Sequence, residues 1–379
     1  MDNTMKIIMD ASPLVSRKTG IGYYTLNLVQ HLAMYKQIKL NLAINGVRPS
    51  HSIPTDLGDI SKILLPYDKL RSMNVHSRIY NLLKVEYAAS NFDIFHGVNF
   101  HVWPTLSAKK IVTFHDLAFI KYPELMPKEI VKHHKKWAIH SLYNSDFVIT
   151  VSQSVRQEII DHFNYNPEKI ACTPLAASGR FFQRNSKEEL SKIKSKYKLP
   201  DSFFLYVGTI EPRKNILRLI EAFDLARKDF EFDQKLVLVG SKGIEFEKIL
   251  QKINELNLLD QVIIAGYVEE NDLPLIYNIA DVFIYVSLYE GFGLPILEAM
   301  QSGLPVITSN LSSMPEVAGA AALLVNPFDT LSIAGAIAML SQDANLRTRL
   351  SEQSLQQAGK FSWSLTAFQT FDIYNKVLK

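Results

Sequence analysis

The sequence predicts an α/β protein built from two Rossmann-like domains. Its 379 residues exceed what a single hydrophobic core usually serves. Short, apolar runs rich in β-branched residues alternate with helix-like segments along the whole chain, which is typical of parallel α/β units. The alternation restarts after a polar, lysine-rich stretch at residues 178–200. We therefore predict a first domain at residues 1–180, a second at 181–360, and a separate helical segment at 361–379.

Strands are predicted where an apolar run is short and is bounded by polar or turn-forming residues. In the first domain these runs are residues 6–9, 40–44, 63–65, 94–95, 111–114, 147–150 and 170–173. In the second domain they are residues 203–207, 236–239, 262–265, 282–286, 306–308 and 322–325. Helices are predicted between them, and Ser362 before Trp363 is the predicted N-cap of the last one.

Composition indicates a globular enzyme. Hydrophobic residues make up 47% of the chain and charged residues 21%, which is close to the average for soluble domains. The one cysteine, Cys172, excludes an internal disulfide and a multi-cysteine metal site. No apolar run approaches the roughly 18 residues that span a bilayer, and the N-terminus does not have the pattern of a signal peptide. We expect a cytoplasmic protein.

Charge is distributed unevenly along the chain. Residues 1–180 contain 21 Lys and Arg against 14 Asp and Glu, a net +7, whereas the remainder contains 20 against 24, a net −4. A basic first domain suits an anionic acceptor or the anionic inner face of a membrane, although ordinary surface variation explains it about as well. We do not expect nucleic acid as a partner, because no basic-aromatic tract accompanies the charge.

The most informative motif of the second domain is a loop that contains two glycines and lies between two acidic residues. Gly291 and Gly293 follow the predicted strand near residue 285 and precede a helix, so unpaired backbone N–H groups there favour a phosphate. Glu290 and Glu298 can accept hydrogen bonds from sugar hydroxyls beside that phosphate. The pattern suits a nucleotide sugar, and a solvated loop with a helix-favouring Glu is the plain structural alternative.

A second motif of this domain brings positive charge to a neighbouring turn. The strand at residues 203–207 runs into Gly208 and then into Arg213 and Lys214, before a helix at residues 216–227. Adjacent Arg and Lys side chains at such a turn can neutralise a diphosphate whose negative charge grows as it leaves. Taken alone, the pair also fits a solvated loop.

In the first domain, Gly20 and Gly22 form a predicted loop before a helix at residues 23–34. Glycines there let the backbone approach a ligand closely. As a dinucleotide fingerprint the motif is weak, because the third glycine and the short spacing are missing. A structural turn is the alternative.

His115 and Asp116 directly follow the strand at residues 111–114, at a carboxyl end where open α/β sheets place their ligands. His115 could contact a transferred sugar or an acceptor, and Asp116 could orient it or act as a base. A metal site would have to add His96 and His101, whose spacing is not specific for one, so no metal is predicted.

The segment at residues 127–144 carries lysines and histidines on its polar positions and an apolar set formed by Ile130, Val131, Trp137 and Leu142. We expect a helix that packs its apolar stripe against its own sheet. Peripheral contact with an anionic membrane is the alternative.

Taken together, these motifs resemble the retaining glycosyltransferases of family 4, which have the glycosyltransferase B (GT-B) fold. The resemblance covers nearly the whole chain, and the order of its elements makes it specific. They are Gly20-Ile21-Gly22, His115-Asp116, Thr150-Val151-Ser152, Gly208-Thr209, Arg213-Lys214-Asn215, Glu290 with Glu298, and Phe361-Ser362-Trp363.

The resemblance implies two domains that face each other across a cleft, with the last helix crossing back to the first domain. The donor would be held mainly by the second domain and the acceptor by the first. Arg213 and Lys214 would hold the donor diphosphate, Glu290 the hexose hydroxyls and Glu298 the ribose. The other implied donor-binding residues are Gly20, Gly22, Gly208, Tyr267, Val268, Gly291, Phe292, Gly293 and Leu294.

The resemblance also implies catalytic roles and a mechanism. His115 would lie beside the donor sugar, and Asp116 would support it. The family keeps the anomeric configuration and needs neither a cofactor nor a metal, with the departing phosphate helping to deprotonate the acceptor.

Within the family, the N-terminal segments look most like bacterial mannosyltransferases of O-antigen or other surface polysaccharides. The implied co-substrate is GDP-mannose and the implied acceptor a saccharide or lipid-linked saccharide. UDP-glucose, UDP-galactose or an N-acetylhexosamine donor stays open.

Two rival functions belong to other classes. A dinucleotide-dependent oxidoreductase would need a three-glycine fingerprint with an acid about 20 residues later, and the chain has none. An inactive nucleotide-sugar-binding scaffold predicts damage to Arg213, Lys214, Glu290 or Glu298, and all four are present. The oligomeric state is not predicted.

Overall fold

A computed structural model describes residues 4–15, 20–45, 57, 60–65, 84–89, 91–182 and 185–379. The chain divides into two compact units, of which the first joins Met1–Leu175 to Ser362–Lys379 and the second is Ala176–Phe361. The divisions fall at residues 175 and 361, where the sequence suggested 180 and 360.

The first unit contains a parallel sheet of seven strands in the order β3-β2-β1-β4-β5-β6-β7. Its strands are β1 (Met5–Asp10), β2 (Ile38–Asn45), β3 (Ser61–Leu65), β4 (Ile94–Gly97), β5 (Lys109–Phe114), β6 (Phe147–Thr150) and β7 (Ile170–Cys172). All neighbours in this sheet run parallel.

The second unit contains a parallel sheet of six strands in the order β10-β9-β8-β11-β12-β13. Its strands are β8 (Phe203–Val207), β9 (Lys235–Val239), β10 (Val262–Gly266), β11 (Val282–Tyr285), β12 (Val306–Ser309) and β13 (Ala322–Val325). Strands β8 and β11 are direct neighbours although the chain between them forms two other strands.

Every strand predicted from the sequence is present. The ends differ by at most two residues, as at the start of β2, which lies at residue 38 rather than 40. The agreement has a physical cause, since strands β6, β8, β11 and β12 are buried along their whole length. A strand covered on both faces must be a nearly continuous apolar run, and such runs are visible in the sequence.

The helices lie between the strands and follow the last one. They are α1 (Gly20–Leu32), α2 (Ala118–Lys121), α3 (Lys128–Asn144), α4 (Gln153–Phe163), α5 (Lys187–Tyr197), α6 (Ile216–Asp229), α7 (Phe246–Glu255), α8 (Leu273–Ile279), α9 (Leu294–Gln301), α10 (Met314–Ala318), α11 (Thr330–Gln342), α12 (Ala344–Ala358) and α13 (Trp363–Leu378).

The start of α1 differs from the prediction. Gly20 and Gly22 were expected in a loop before a helix at residue 23, but the helix begins at Gly20 and contains both glycines in its first turn. Tyr24 and Leu28 are fully buried on the same helix. Tertiary packing of that face stabilises the helix and outweighs the low helix propensity of glycine.

Helix α3 packs its apolar stripe inside the first unit, as expected from its sequence. Trp137, Ala138 and Leu142 belong to the buried core of that unit. Ile130 is an exception, since 43% of it is exposed. Within the described ranges, no helix combines the length and the apolar character needed to cross a membrane.

The last helix, α13, belongs to the first unit. The Ser362 side chain caps it by accepting a hydrogen bond from the Leu365 N–H at 3.1 Å, as predicted. The Thr366 hydroxyl donates to the Pro174 carbonyl at 2.6 Å, and the Phe371 ring packs on Tyr35 at 4.8 Å.

A buried polar network ties α13 to the sheet. His96 on β4 has its Nδ1 2.7 Å from the Tyr374 hydroxyl and its Nε2 2.8 Å from the Thr113 hydroxyl, which lies 3.0 Å from the Tyr24 hydroxyl. All four side chains are fully buried. Burial, helped by the neighbouring His115, lowers the pKa of His96 to about 3, so its imidazole is neutral at physiological pH.

Replacing Tyr374 should therefore weaken the attachment of the last helix. Tyr374→Phe keeps the ring but removes a partner of buried His96, and we expect the free energy of unfolding to fall by roughly 1–3 kcal/mol. Denaturant titration measures this change. Tyr35→Phe is the control, because that ring packs on the same helix, and equal losses in the two variants would contradict the role of the hydrogen bond.

Candidate active site

The two cationic residues predicted for the donor site lie after β8. Pro212–Lys214 form one turn of 3₁₀ helix, and α6 begins two residues after Lys214. Asn215 between them has a left-handed φ of 61°. Its side-chain amide donates to the carbonyl oxygens of Val286 at 3.1 Å and Pro327 at 2.7 Å. These bonds attach the turn to the loop that follows β11 and hold the two cations in place.

Glu290 lies in that loop and brings the two cations together. Its Oε1 is 2.6 Å from the Lys214 Nζ, and its Oε2 is 3.0 Å from the Arg213 Nη1. Arg213 also donates to the Tyr289 carbonyl. Lys214 and Glu290 are only 9% and 7% exposed. Glu290 is 76 positions after Lys214 in the sequence, where the two belong to separate motifs. The structure brings Glu290 together with Lys214 and its neighbour Arg213.

The three charges of this cluster control one another's titration. Burial by itself would raise the pKa of Glu290, but the charges of Arg213 and Lys214 outweigh burial and lower that pKa to about 2. Burial lowers the pKa of Lys214, an effect that Glu290 opposes and Arg213 reinforces. With Glu290 ionised, Arg213, Lys214 and Glu290 together have a net positive charge that can attract a diphosphate, and the more exposed Glu211 carboxylate, 3.9 Å from Arg213, partly offsets it.

Hydroxyl groups hold the backbone of Glu290. Its carbonyl oxygen accepts from the Ser312 hydroxyl at 2.5 Å and from the Ser313 hydroxyl at 2.9 Å, and Ser313 also bonds the Phe292 carbonyl at 2.9 Å. Gly293 follows with a left-handed φ of 100°, just before α9 begins at Leu294. The loop that was predicted to cradle an anion therefore has a well-defined backbone conformation.

Glu298 is separate from this cluster. It lies in the second turn of α9, which begins at Leu294. Its Oε2 accepts a hydrogen bond from the Tyr277 hydroxyl at 3.1 Å. Burial raises the pKa of Glu298 to about 7, against opposing effects of the Tyr277 hydrogen bond and the Arg180 charge. The carboxyl is thus poised between its neutral and ionised forms near neutral pH.

Close backbone approaches mark the neighbouring strand ends. A Cβ on Gly208 would lie 2.7 Å from the Tyr206 hydroxyl, and a Cβ on Gly240 would lie 1.9 Å from the Gly208 carbonyl oxygen. Glycine is needed where the ends of β8 and β9 meet so closely. Tyr267 and Val268 follow the next strand, β10, with Tyr267 half exposed and Val268 buried.

The predicted residues of the first unit have a different character. His115 is buried, and its Nε2–H donates to the Val98 carbonyl at 2.7 Å, which leaves Nδ1 as the unprotonated ring nitrogen. Burial lowers the pKa of His115, although the Val98 bond and the Asp116 charge oppose this. Asp116 accepts from the Ala118 N–H at 2.9 Å, which places it at the start of α2.

The described part of the chain offers no group of three His, Cys, Asp or Glu side chains arranged to hold a metal ion. His96, which a metal site at His115 would need as a further ligand, instead bonds Thr113 and Tyr374.

Sequence reasoning missed the hydroxyl groups of the second unit. Tyr285, Tyr277, Ser312 and Ser313 all contact Glu290 or Glu298. Tyr285 belongs to the apolar run that predicted β11, and no prediction covered Tyr277 on α8. A buried tyrosine is itself a signal, because its hydroxyl requires a partner.

Comparison with known families agrees with these geometries. Residues 18–176 match the family described as Glycosyltransferase Family 4, and residues 187–357 match the family described as Glycosyl transferases group 1. The O-antigen chain mannosyltransferase B of Escherichia coli is 36% identical over 382 residues, which cover 98% of this chain and 99% of that protein. The chain belongs to glycosyltransferase family 4 and is a glycosyltransferase.

Two further comparisons concern a relative that matches part of the chain and a solved structure that has the same fold. The serotype-specific mannosyltransferase WbdA of Escherichia coli is 34% identical over 238 residues, which cover 62% of this chain and 29% of that protein. A glycosyltransferase crystal structure from Rickettsia africae superposes with a TM-score of 0.74 at 21% identity, covering 100% of this chain and 99% of the other. The fold is the glycosyltransferase B fold.

The ion cluster leads to a prediction about turnover. Lys214→Ala should lower the rate of sugar transfer by about a hundredfold or more, since one preorganised contact to a charge that develops in the transition state is lost. Initial-rate kinetics at saturating donor measure this effect. Lys228→Ala removes the same charge from an exposed position on α6, where Lys228 pairs with Asp224. A Lys214→Ala rate equal to that of this control would contradict the assignment.

Glu298 leads to a prediction about donor binding. If its carboxylate accepts ribose hydrogen bonds, Glu298→Gln should raise the donor KM about tenfold and leave kcat almost unchanged. Donor affinity of the unaltered protein should rise between about pH 6 and pH 8, because a pKa near 7 means that ionisation is completed in this window.

Steady-state kinetics across this pH range test both effects, and the Gln variant should lose the pH dependence. Glu352→Gln, at an exposed position on α12, is the control. A fall in kcat with an unchanged KM would rule out the ribose role.

Proposed function

We propose that the protein transfers mannose from GDP-mannose to a saccharide or lipid-linked saccharide, in the synthesis of a surface polysaccharide such as lipopolysaccharide O-antigen. The observation that supports mannose best is the 36% identity to O-antigen chain mannosyltransferase B over nearly the whole of both chains. The relatives that match only part of this chain include another protein named as a mannosyltransferase, WbdA.

The second unit supplies the chemistry that such a transfer requires. The bond between the sugar C1 and the donor phosphate breaks, and negative charge accumulates on the departing diphosphate. Buried Lys214 and partly buried Arg213 would neutralise that charge at a site with little water, where electrostatic stabilisation is strong. Glu290 would accept hydrogen bonds from the hexose hydroxyls, and Glu298 from the ribose.

We further propose that transfer retains the anomeric configuration. The acceptor hydroxyl would form its new bond to C1 on the face that the phosphate leaves, and its proton would pass to a phosphate oxygen. No protein nucleophile is then needed. Arg213 and Lys214 provide the positive charge that a divalent metal supplies in other transferases, so the proposed reaction is metal-independent.

The acceptor side of the proposal rests on the first unit. His115, which is neutral and buried, would contact the acceptor, with Asp116 in support. Helix α3 carries four exposed lysines, which are Lys128, Lys132, Lys135 and Lys136. They suit the cytoplasmic face of a membrane that holds a lipid-linked acceptor, as peripheral contact without insertion.

The test is a donor panel. The purified protein is incubated with GDP-mannose, UDP-glucose, UDP-galactose and UDP-N-acetylglucosamine, each with and without a lipid-linked mannosyl acceptor. We expect transfer, or slow hydrolysis without acceptor, to be at least tenfold faster with GDP-mannose. Product NMR should show the anomeric configuration of the donor, and excess chelator should not lower the rate.

Each alternative function has its own outcome. If one UDP-sugar is turned over faster than GDP-mannose, that sugar becomes the assigned donor, and the protein is still a glycosyltransferase. Binding of donors without transfer or hydrolysis of any of them would favour the scaffold, because the binding residues are all present. An inverted product would overturn the proposed mechanism.

A further inference from the structure

Tyr285 is the last residue of β11, and its side chain is fixed by the surrounding core. It is 1% exposed. Its ring is nearly parallel to those of Tyr206 and Phe283, with centroid distances of 5.9 Å and 5.8 Å and interplanar angles of 17° and 16°. Its backbone carbonyl accepts from the Thr308 hydroxyl at 2.8 Å. Ring and backbone are therefore held from several sides, and the position of the hydroxyl is well defined.

The Tyr285 hydroxyl contacts both charged partners of the ion cluster. It lies 2.6 Å from the Lys214 Nζ and 2.9 Å from the Glu290 Oε1, and the same Nζ lies 2.6 Å from that Oε1. The three groups form a closed triangle, in which Lys214 donates to both oxygens and Tyr285 donates to the carboxylate. Two of the three ammonium donors are thus paired, one with the carboxylate oxygen and one with the phenol oxygen.

The chemistry of the two acceptors differs in one important respect. Glu290 is negative and offsets the charge of Lys214, whereas the phenol is neutral, since burial holds the pKa of Tyr285 well above its ordinary value. A donor whose sugar hydroxyls bind Glu290 would compete for Oε1, the carboxylate oxygen that now binds Lys214. Tyr285 would still bind the ammonium then, and would leave its positive charge available for a phosphate.

We propose that Tyr285 is a positioning residue for donor diphosphate binding, holding the Lys214 ammonium in place while Glu290 is engaged by the sugar. The proposal rests on the proposed function in one respect, namely that Lys214 and Glu290 bind the donor. It adds a residue on a third element, β11, to that site, and it gives a reason for a tyrosine at the end of a buried strand.

Tyr285→Phe tests the proposal by removing one oxygen and keeping the stacked ring. Burial lowers the pKa of Lys214, Arg213 acts in the same direction, and Glu290 and Glu211 oppose them. Loss of a hydrogen-bond acceptor for the ammonium lowers this pKa further. Since a diphosphate needs the charged form, the alkaline limb of the kcat/KM profile should move about one pH unit towards acid, the shift that corresponds to a tenfold change in ionisation. A residue that only stabilises the fold would lower activity without moving this limb.

Tyr206→Phe is the matched control. Tyr206 is also fully buried and lies in the same stack, but its hydroxyl bonds only the Thr209 carbonyl, at 3.4 Å, among the described contacts. We expect the pH profile of this variant to be unchanged. An equal shift in both variants would overturn the proposal, because it would assign the effect to the stack and not to the Tyr285 hydroxyl.

Binding of GDP and UDP, followed by calorimetry between pH 7 and pH 10, tests the same site without requiring turnover. In the otherwise unaltered protein, Tyr285→Phe should weaken nucleotide binding about tenfold at the alkaline end. In a protein that already carries Lys214→Met, the same substitution should weaken binding by less than about twofold more. A full additional loss in that background would show that Tyr285 does not act through Lys214 and would overturn the proposal.

The two proposals fail in different ways. If the unaltered protein binds neither nucleotide, the donor site itself is wrong. If it binds them and Tyr285→Phe leaves the pH dependence unchanged, only the role of Tyr285 is wrong. Thermal unfolding confirms that each variant is folded, and Tyr285→Met replaces the Phe variant should that one not fold, with the same shift expected.

Discussion

The site of the second unit depends on one electrostatic constraint, the burial of Glu290 between Arg213 and Lys214. A carboxylate out of water is costly unless it is paired and hydrogen-bonded, and the same holds for an ammonium. Buried Glu290 and Lys214 therefore stabilise each other, and the partly buried Arg213 adds a second cation beside Glu290. The turn after β8 and the loop after β11 meet here because these strands are neighbours in the sheet.

Around this cluster, the structure satisfies polar atoms mainly with neutral groups. Ser312 and Ser313 bond the backbone of Glu290, and the Asn215 amide bonds two carbonyls. These neutral donors fix the geometry without adding negative charge to the cluster. This division between charged groups in the centre and neutral groups around them is what an anion-binding site requires.

The first unit contains the opposite kind of buried chemistry. His96 and His115 are both buried, and burial lowers the pKa of each, so these two imidazoles are neutral and are paired with hydroxyl or carbonyl oxygens. The ion cluster described above, in contrast, lies entirely in the second unit. The final helix contributes Tyr374 to the first unit. There it bonds His96, which lies 278 positions earlier in the sequence.

The sequence by itself determined the two-sheet architecture, the positions of the described strands to within two residues, and the loops that hold Arg213, Glu290 and His115. Buried parallel strands are continuous apolar runs, and polar residues at their carboxyl ends therefore stand out. It could not show that Glu290 pairs with Arg213 and Lys214, that Tyr285 joins them, or that α1 begins at Gly20. Those outcomes depend on which strands are neighbours and on how side chains pack, so only the tertiary structure decided them.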